Sequence, residues 1–526
     1  MPAKKPSEAA AKKEGEKEGK LDKERKLSAE SQKDETRKVL DSYSFATNKI
    51  PITVTIYRAK GEFVPIYEPS VSKISSATEM ILEKIRQELV TEVNLGMVDI
   101  LDTRKTGIIE QSFRDTIEIL IKKHFPDADK DTTEFLIAYL IQRSLGMGNI
   151  EILMGDKNLE EVAINGAEDP VWVYHRKHGW LKTSIRVANE EQIRHFASMI
   201  GRKVGRQITV LEPLMDANLS TGDRVNATLA PVSLHGNTLT LRKFASKPWT
   251  ITDFIDNQSI TTEAAALIWL AVQYELSVII AGGTASGKTS MLNVVSNFFP
   301  PNQRIITIED THELQLPKFL HWVPLLTRLP NVEGKGGVSM LDLLVNSLRM
   351  RPDRIIVGEI RRKREAEVLF EAIHTGHSVY ATIHANSAKE TINRIANPPI
   401  EIPKTLIPSI SLVLVQYRNR RTGLRRTFQI AEILPDCSPN VLMQLDVKSD
   451  RLEKSGESTA VMDSLQMYTG MSRKDIMADI GEKEKVLNWL VKQKINLVDD
   501  VGAVMAKYYT EKDSVMNAVR ENKPLG

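Results

Sequence analysis

The sequence has very little cysteine. Cys437 is the only one among 526 residues, so the chain cannot form an intramolecular disulfide or a cysteine-rich zinc or iron–sulfur site. A chain of this length with a single thiol is typical of a reducing compartment. We therefore predict a cytoplasmic location.

Long apolar runs are also missing. The run at residues 264–274 is bounded by Glu263 and Glu275, and it is shorter than the roughly 18 residues that indicate a membrane-spanning helix. The first residues are charged, where a signal peptide would need an apolar stretch. We expect any association with the cytoplasmic membrane to be peripheral or through a partner.

Excess charge of either sign is small. The formal net charge is +3, and residues 1–38 hold 12 basic and 9 acidic side chains, which accounts for the whole excess. A neutral remainder disfavours duplex DNA as a partner, because DNA binding depends on a basic surface. Aromatic residues make up only 6% of the chain, which also disfavours a groove that stacks single-stranded bases.

Hydrophobic periodicity divides the chain into segments. The first residues have almost no bulky apolar side chains, which predicts disorder, with a fraying helix or a docking arm as alternatives. The next segment has apolar residues at helical spacing. It is followed by short alternating strands and then by continuous apolar strands that alternate with helices. We predict a disordered charged tail (1–40), a helical N-terminal region (41–148), an α+β domain (149–245), a linker (246–254), an α/β core with a parallel sheet (255–435) and a helical C-terminal region (436–526).

A phosphate-binding pattern, G-x-x-x-x-G-K-[ST], follows the apolar strand at residues 278–281. In such a loop, backbone N–H groups surround a phosphate, the lysine neutralises the β- and γ-phosphates, and the hydroxyl can bind Mg²⁺. The pattern predicts nucleotide binding; the alternative is a glycine-rich turn without a ligand. Its residues are Gly282, Gly283, Thr284, Ala285, Ser286, Gly287, Lys288 and Thr289.

Acidic side chains follow two later apolar strands. The strand at residues 304–308 runs into Glu309, Asp310 and Glu313, and the strand at 354–357 runs into Glu359. Ligands of open parallel sheets bind at the carboxyl ends of the strands, so these acids are predicted to face the phosphates. There they could hold Mg²⁺ or orient a water. Asp310 could instead cap a helix.

His384 ends a further apolar strand, and His374 and His377 lie just upstream. The strand alternation and the lack of nearby cysteines disfavour a metal site formed by these three histidines. At a strand's carboxyl end, His384 could donate a hydrogen bond to a γ-phosphate. A structural histidine is the alternative that the local sequence leaves open.

The order of these motifs resembles that of the type II/type IV secretion ATPases, hexameric motors of pilus assembly, protein secretion and the archaellum. The likeness covers roughly residues 159–434 and implies a RecA-like P-loop core. The stretches at 219–227 and 239–244 look like the family's N-terminal domain signatures. The core motifs that carry the resemblance are residues 282–289, 308–314, 351–361, 375–377 and 382–386.

The resemblance implies a role for each site residue and ATP with Mg²⁺ as the cofactors. Arg224 and Arg242 would swing onto the nucleotide, where a planar, permanently charged guanidinium stabilises a transferring phosphoryl group. Without the resemblance, both arginines would be interpreted as members of surface ion pairs. The implied catalytic residues are Glu359, Glu309, Glu313, Arg224, Arg242 and the γ-phosphate sensor His384, and the implied Mg²⁺ ligands are Thr289, Glu359 and Asp310.

The single cysteine departs from the bacterial members that carry a four-cysteine zinc module. The runs at residues 358–366 and 467–473 look more like the archaeal branch, with the archaellum motor ATPase as first choice and an archaeal type IV pilus assembly ATPase as second. The resemblance implies a homo-hexamer, a polytopic membrane platform protein and pilin or archaellin subunits as partners. An anionic lipid surface is a further candidate partner.

Two other functions stay open at this point. A nucleic-acid translocase or helicase on a similar core would use the basic clusters at residues 361–364 and 418–426. We do not expect nucleic acid as a partner, because the remainder of the chain is neutral and poor in aromatics. A nucleotide-binding regulator without turnover is the third hypothesis, and the intact Glu359 and Lys288 argue against it.

Overall fold

The computed structural model describes residues 37–48, 50–71, 74, 76–92, 106–219, 221–244, 247–330 and 334–525. The predicted charged tail, residues 1–40, lies almost entirely outside these residues. The chain divides into two compact units, Met1–Phe244 and Ala245–Gly526.

The first unit contains a nine-stranded sheet. Its strands are β1 (Arg37–Thr47), β2 (Ile50–Ala59), β3 (Ile66–Val71), β4 (Leu159–Ile164), β5 (Pro170–His175), β6 (Gly179–Arg186), β7 (Leu214–Asn218), β8 (Arg224–Thr228) and β9 (Thr238–Arg242). Their order in the sheet is β1-β2-β3-β6-β5-β4-β9-β8-β7. Neighbours are antiparallel except β3 and β6, which run parallel.

Helices of the first unit share one hydrophobic core with this sheet. They are α1 (Ser76–Glu92), α2 (Thr106–His124), α3 (Lys130–Leu145), α4 (Asn149–Gly155) and α5 (Glu190–Lys203). Helix α5 begins at an N-cap, Asn189, whose side chain accepts the Gln192 N–H. Its buried face includes Ile193, Phe196 and Ile200.

The helical prediction for residues 41–148 is wrong at its start, because residues 37–71 form β1, β2 and β3. In β2, Ile50, Ile52, Val54 and Ile56 are buried, while polar or partly exposed residues lie between them. This period of two places every second side chain on one face, which is the arrangement of a half-buried strand. The helices of the region begin only at Ser76.

The second unit contains a second nine-stranded sheet. Its strands are β10 (Val278–Gly282), β11 (Arg304–Glu309), β12 (His321–Leu326), β13 (Arg354–Val357), β14 (Ser378–Ile383), β15 (Leu412–Arg418), β16 (Arg425–Ile433), β17 (Pro439–Asp446) and β18 (Arg451–Lys454). They lie in the order β12-β11-β13-β14-β10-β15-β16-β17-β18. The strands from β12 to β15 in this order are parallel, and the last three are antiparallel.

Both faces of the parallel part are covered. Along β10, Val278 and Ile280 belong to one hydrophobic cluster, whereas Ile279 and Ala281 belong to another. A strand buried on both faces needs apolar residues at every position, which explains the continuous apolar runs in the sequence. The predicted fold class, an α/β core with a parallel sheet behind an α+β domain, is confirmed.

Helices α6 (Ile251–Asp256), α7 (Thr262–Gln273), α8 (Lys288–Ser296), α9 (Met340–Ser347), α10 (Lys363–His374) and α11 (Ala388–Ala396) accompany the second sheet. The apolar run of the sequence forms α7, with Trp269 completely buried in the core. Among the described residues, none of the helices combines the length and the apolar composition needed to cross a bilayer.

The C-terminal region, predicted to be helical over residues 436–526, begins instead with the strands β17 and β18. They extend the sheet antiparallel to β16, and Leu442, Met443 and Leu445 are buried. The short, partly polar strands give a weak periodic signal, so their place at the sheet edge depends on pairing rather than on local pattern. Four helices then follow: α12 (Ala460–Thr469), α13 (Arg473–Lys492), α14 (Val498–Thr510) and α15 (Lys512–Glu521).

Candidate functional site

The phosphate-binding pattern forms the turn between β10 and α8. Gly287 has φ 100°, and Lys288 begins the helix directly after it. A Cβ added to Gly282 would lie 2.7 Å from the Gln416 carbonyl oxygen, so this position has no space for a side chain. The loop therefore has the backbone that glycine allows, and it presents the amino end of a helix at the carboxyl end of a central strand.

Lys288 lies against the loop that precedes it. Its Nζ donates to the carbonyl oxygens of Gly282 and Gly283 at 3.1 and 3.2 Å, and lies 3.3 Å from His384 Nδ1. Burial lowers the pKa of the Lys288 ammonium, while Glu359 and Glu313 act in the opposite direction. The charge is thus half-buried beside two carboxylates, and an additional anion there would stabilise it.

Glu359 follows β13 and contacts two basic groups. Its Oε1 lies 3.1 Å from His384 Nε2, and its Oε2 accepts from Arg361 Nη2 at 2.7 Å. Burial lowers the pKa of His384, and the neighbouring Lys288 lowers it further. The imidazole of His384 therefore connects the loop lysine to the acid that the sequence singled out.

Asp310 and Glu309 are consecutive but point in different directions. Asp310 accepts from Arg361 Nη1 at 2.6 Å and from Thr327 Oγ1 at 3.0 Å, so it lies beside Glu359. Glu309 is only 2% exposed, and its Oε1 accepts the backbone N–H groups of Glu313 and Leu314 at 3.0 and 3.1 Å. The Glu309 carboxylate thus shapes the turn that carries Glu313.

Arg224 and Arg242 lie in the first unit, on β8 and β9, and their Cα atoms are direct partners in the antiparallel register. Both residues are exposed. Arg224 donates from Nη2 and Nε to Asp216 at 2.6 and 3.0 Å. A carboxylate faces each arginine, because Asp216 bonds Arg224 and Glu161 of β4 is the direct cross-strand partner of Arg242.

Three residues at the site have contacts that the sequence motifs did not predict. Arg361 joins Glu359 and Asp310, although the sequence suggested a nucleic-acid contact for it. Arg425 Nε donates to the carbonyl oxygen of Ala285 in the loop at 3.1 Å. Gln416 is buried on β15 beside Gly282. For Arg361, the sequence did indicate a possible ion pair, because this arginine follows Glu359 by two positions.

A cavity of about 290 Å³ opens next to the phosphate-binding loop. Its lining includes Ser286 and Gly287 of the loop, Trp249, Phe254 and the Leu424 side chain. The Trp249 and Phe254 rings meet edge to face at 5.9 Å. This mixture of aromatic and aliphatic surface suits a planar, partly apolar group.

The donor set suits Mg²⁺. Thr289 at the start of α8, Asp310 and Glu359 offer only oxygen ligands, and one guanidinium already lies between the two carboxylates. Mg²⁺ is usually held by one or two carboxylates together with phosphate oxygens and water. Over the part of the chain that the structure describes, no cluster of three or more histidine, cysteine or acidic residues could hold a metal alone.

Comparison with known proteins agrees with this site. A family profile described as "Type II/IV secretion system protein" matches residues 143–425. This range includes the phosphate-binding loop, both acidic strand ends and His384. The chain belongs to this family.

Relatives of the chain occur in an archaeon and in a bacterium. An uncharacterized protein of Methanocaldococcus jannaschii, MJ0781, is 38% identical over 355 residues, which are 65% of this chain and 46% of that protein. The type IV secretion system protein PtlH of Bordetella pertussis is 30% identical over 303 residues, 51% of this chain and 88% of PtlH. The chain therefore spans less than half of the first relative but most of the second.

Among solved structures, the Legionella pneumophila ATPase DotB is similar with a TM-score of 0.42 and 18% identity, over 71% of this chain and 95% of DotB. The family membership agrees with the resemblance of the sequence motifs to the type II/type IV secretion family.

Proposed function

We propose that the chain hydrolyses ATP with Mg²⁺ and converts the cycle into mechanical work. The contact chain from Lys288 through His384 to Glu359 supports this most directly, because it connects a phosphate-binding loop to a candidate base. Positioned charges at such a loop are what phosphoryl transfer requires.

Each residue has a role in this proposal. Lys288 exchanges its two carbonyl contacts for phosphate oxygens, and the loop N–H groups bind the same phosphates. Glu359 orients the attacking water, and His384 holds Glu359 and reports the γ-phosphate. Mg²⁺ held by Thr289, Asp310 and Glu359 would neutralise charge on the phosphates.

The acids of the turn after β11 have different proposed roles. Glu309 keeps the turn in shape through its bonds to the Glu313 and Leu314 N–H groups. The Glu313 charge acts on Lys288, because it raises the pKa of that lysine against the effect of burial. We assign Glu309 to positioning and Glu313 to the catalytic site. The neighbouring cavity would take the nucleotide base.

Two substitutions separate binding from turnover. Lys288→Ala should weaken binding of a fluorescent ATP analogue about tenfold or more, because it removes a charge-assisted contact of roughly 1.5–3 kcal/mol. Glu359→Ala should keep binding and lose hydrolysis. Wild-type phosphate release by the Glu359 variant would contradict the role given to this acid.

The arginines of the first unit have a separate test. We expect Arg224→Ala to depress turnover roughly tenfold or more while ATP binding changes little, because a closing guanidinium acts on charge that develops during transfer. Arg194 is a matched control, since it also forms an exposed pair, with Glu191 at 2.6 Å. Arg194→Ala should leave turnover unchanged. If the two substitutions had equal effects on turnover, Arg224 would be only a member of a surface ion pair.

The larger assembly is also a proposal. We infer a cytoplasmic homo-hexamer that acts on a polytopic membrane platform protein and powers assembly, or rotation, of an archaellum or type IV pilus-like filament. The M. jannaschii relative supports the archaeal branch. Light scattering with ATP and the Glu359 variant should give the mass of six chains, and archaellin or pilin genes next to this gene would identify the filament. A monomer under all nucleotide conditions would contradict the motor.

A nucleic-acid translocase receives less support. In the cluster at residues 361–364, Arg361 contacts Glu359 and Asp310, Lys363 contacts Glu401 at 2.9 Å, and Arg364 contacts Glu367 at 3.1 Å. Carboxylates thus already pair with three of the four basic side chains of this cluster. Stimulation of ATP hydrolysis by single-stranded nucleic acid would favour the translocase, whereas stimulation by anionic vesicles would favour the membrane motor.

A further inference from the structure

One guanidinium joins the two carboxylates that the proposed function assigns to Mg²⁺. Arg361 Nη2 and Nε donate to Glu359 Oε2 at 2.7 and 3.0 Å, and its Nη1 donates to Asp310 Oδ2 at 2.6 Å. The other oxygen of each carboxylate has its own partner, His384 Nε2 at 3.1 Å and Thr327 Oγ1 at 3.0 Å. We call the contacts of Arg361 with Glu359 and Asp310 the Arg361 bridge.

We propose that the Arg361 bridge competes with the divalent cation, so that metal binding requires the Arg361 side chain to leave. The inference rests on the proposed function for the assignment of the two acids, and it adds a control on when they accept metal. Mg²⁺ needs oxygen ligands at about 2.0–2.1 Å in near-octahedral geometry. A guanidinium bonded to the same oxygens blocks those positions and repels the incoming cation.

The backbone around Arg361 limits what can move. The N–H groups of Arg361 and Arg362 both donate to Glu365 Oε2, at 3.2 and 3.1 Å, as part of the cap of α10. The Arg361 side chain, in contrast, is 58% exposed. Release of the bridge is therefore a side-chain rotation into solvent, with little packing to lose.

The bridge also explains how two acids stay side by side before metal arrives. Two carboxylates in one site repel each other, and a shared cation removes that repulsion. The guanidinium supplies one positive charge with a planar fork that reaches both acids, which an ammonium group cannot match. A static ion pair would have the same contacts but would not predict competition with metal.

Mn²⁺ binding to the nucleotide-free full chain tests the proposal. We would follow the electron paramagnetic resonance signal of free Mn²⁺ in a titration of wild type, Arg361→Gln and Arg361→Lys. Because the bridge no longer occupies the ligand oxygens, Arg361→Gln should bind Mn²⁺ about fivefold more tightly, which corresponds to the roughly 1 kcal/mol of an exposed ion pair. Arg361→Lys should lie between the two.

Two controls locate the effect. Arg364→Gln removes the same charge three residues away, from a side chain that is 80% exposed and contacts only Glu367 among the pairs at this cluster. It should leave Mn²⁺ affinity unchanged. Adding Asp310→Asn to Arg361→Gln should abolish the gain, because the bridged site then lacks one ligand.

Several results would overturn the proposal. Unchanged or weaker Mn²⁺ binding by Arg361→Gln, an equal gain in Arg364→Gln, or a gain that survives Asp310→Asn would each do so. ATP hydrolysis by the wild type is measured separately. If the wild type hydrolyses ATP but Arg361→Gln has unchanged Mn²⁺ affinity, only the proposed competition is wrong. If Arg361→Gln binds Mn²⁺ more tightly but the wild type does not hydrolyse ATP, the competition stands and the proposed function is wrong.

Discussion

Single residues determine the shape of the phosphate-binding loop. A Cβ added to Gly282 would lie 2.7 Å from the Gln416 carbonyl oxygen and would also collide with Ser286 Oγ. Gly283 is less crowded, because its Cβ would lie 3.3 Å from Asn386 Oδ1. The two glycines are adjacent in sequence but differ in how closely other atoms approach them.

This difference gives a prediction for stability. Gly282→Ala should lower the free energy of unfolding by about 1–3 kcal/mol, because the added methyl meets backbone that cannot move away cheaply. Gly283→Ala should cost clearly less, since a side-chain amide can shift. Chemical denaturation of both variants checks this, and equal losses would show that crowding at Gly282 is relieved elsewhere.

Some contacts between the motif residues could be predicted from the sequence. The loop, Glu359 and His384 could be predicted to meet, because parallel strands end at one sheet edge. The burial of the Glu309 side chain could not be predicted in this way. Glu309 is the last residue of β11, where successive side chains alternate between faces, and the exact end of a strand is not readable from the sequence.

At the scale of elements, the C-terminal helices contact the core near the phosphate-binding helix. The Tyr509 hydroxyl, on α14, accepts from Trp269 Nε1 of α7 and donates to the Phe298 carbonyl oxygen, both at 2.7 Å. Phe298 lies two residues after α8. Lys483 of α13 is completely buried, pairs with Asp479 at 2.8 Å and lies over the Trp269 ring.

We expect Tyr509→Phe to destabilise the second unit by about 1–3 kcal/mol, because it leaves a buried donor and a buried acceptor without their partner. Tyr468→Phe is the matched control, since Tyr468 is 66% exposed. Thermal denaturation of both variants measures the effect. A Tyr509 variant as stable as the Tyr468 variant would mean that water replaces the hydroxyl.

Elements outside the family match were the hardest to predict. Strands β1, β2 and β3 pair with one another, and only β3 joins the rest of the sheet, through β6 (Gly179–Arg186), so this last pairing has no local signature. Tyr43 and Tyr67 from these strands both donate to Asp156 Oδ2, at 2.5 and 2.7 Å. These two hydrogen bonds connect β1 and β3 to Asp156, which directly follows α4.

For the whole molecule, titration of buried groups couples stability to pH. Lys243, at the end of the first unit, donates to the Asp156 carbonyl oxygen, and burial lowers its pKa from 10.5 to about 8. Between these two values the unfolded chain still binds the proton that the folded chain has released. The free energy of unfolding therefore rises as the pH increases from about 8 to 10.5.

Lys243→Met should remove this rise, an effect on the order of a few kcal/mol. The measurement is the difference in unfolding free energy between wild type and variant at pH 7, 8, 9 and 10 (roughly the range over which linkage acts). Lys60→Met, at an exposed lysine of the same unit, is the control and should keep the wild-type slope. If the unfolding free energy of Lys243→Met rose with pH as steeply as that of the wild type, burial of Lys243 would not be the cause of the rise.

Positive charge that could attract nucleic acid is limited in the whole chain. The formal excess of +3 lies in residues 1–38, and three of the four basic side chains at 361–364 pair with carboxylates. We propose that Glu359, held by His384 beside the phosphate-binding loop, is the residue that turns ATP binding into hydrolysis.

The decisive measurement is phosphate release from Mg·ATP by the wild-type chain and by Glu359→Gln at saturating ATP. We expect steady release by the wild type and a loss of roughly a hundredfold or more in the variant, with ATP binding retained. No release by the wild type in any nucleotide, or equal release by the two proteins, would contradict it.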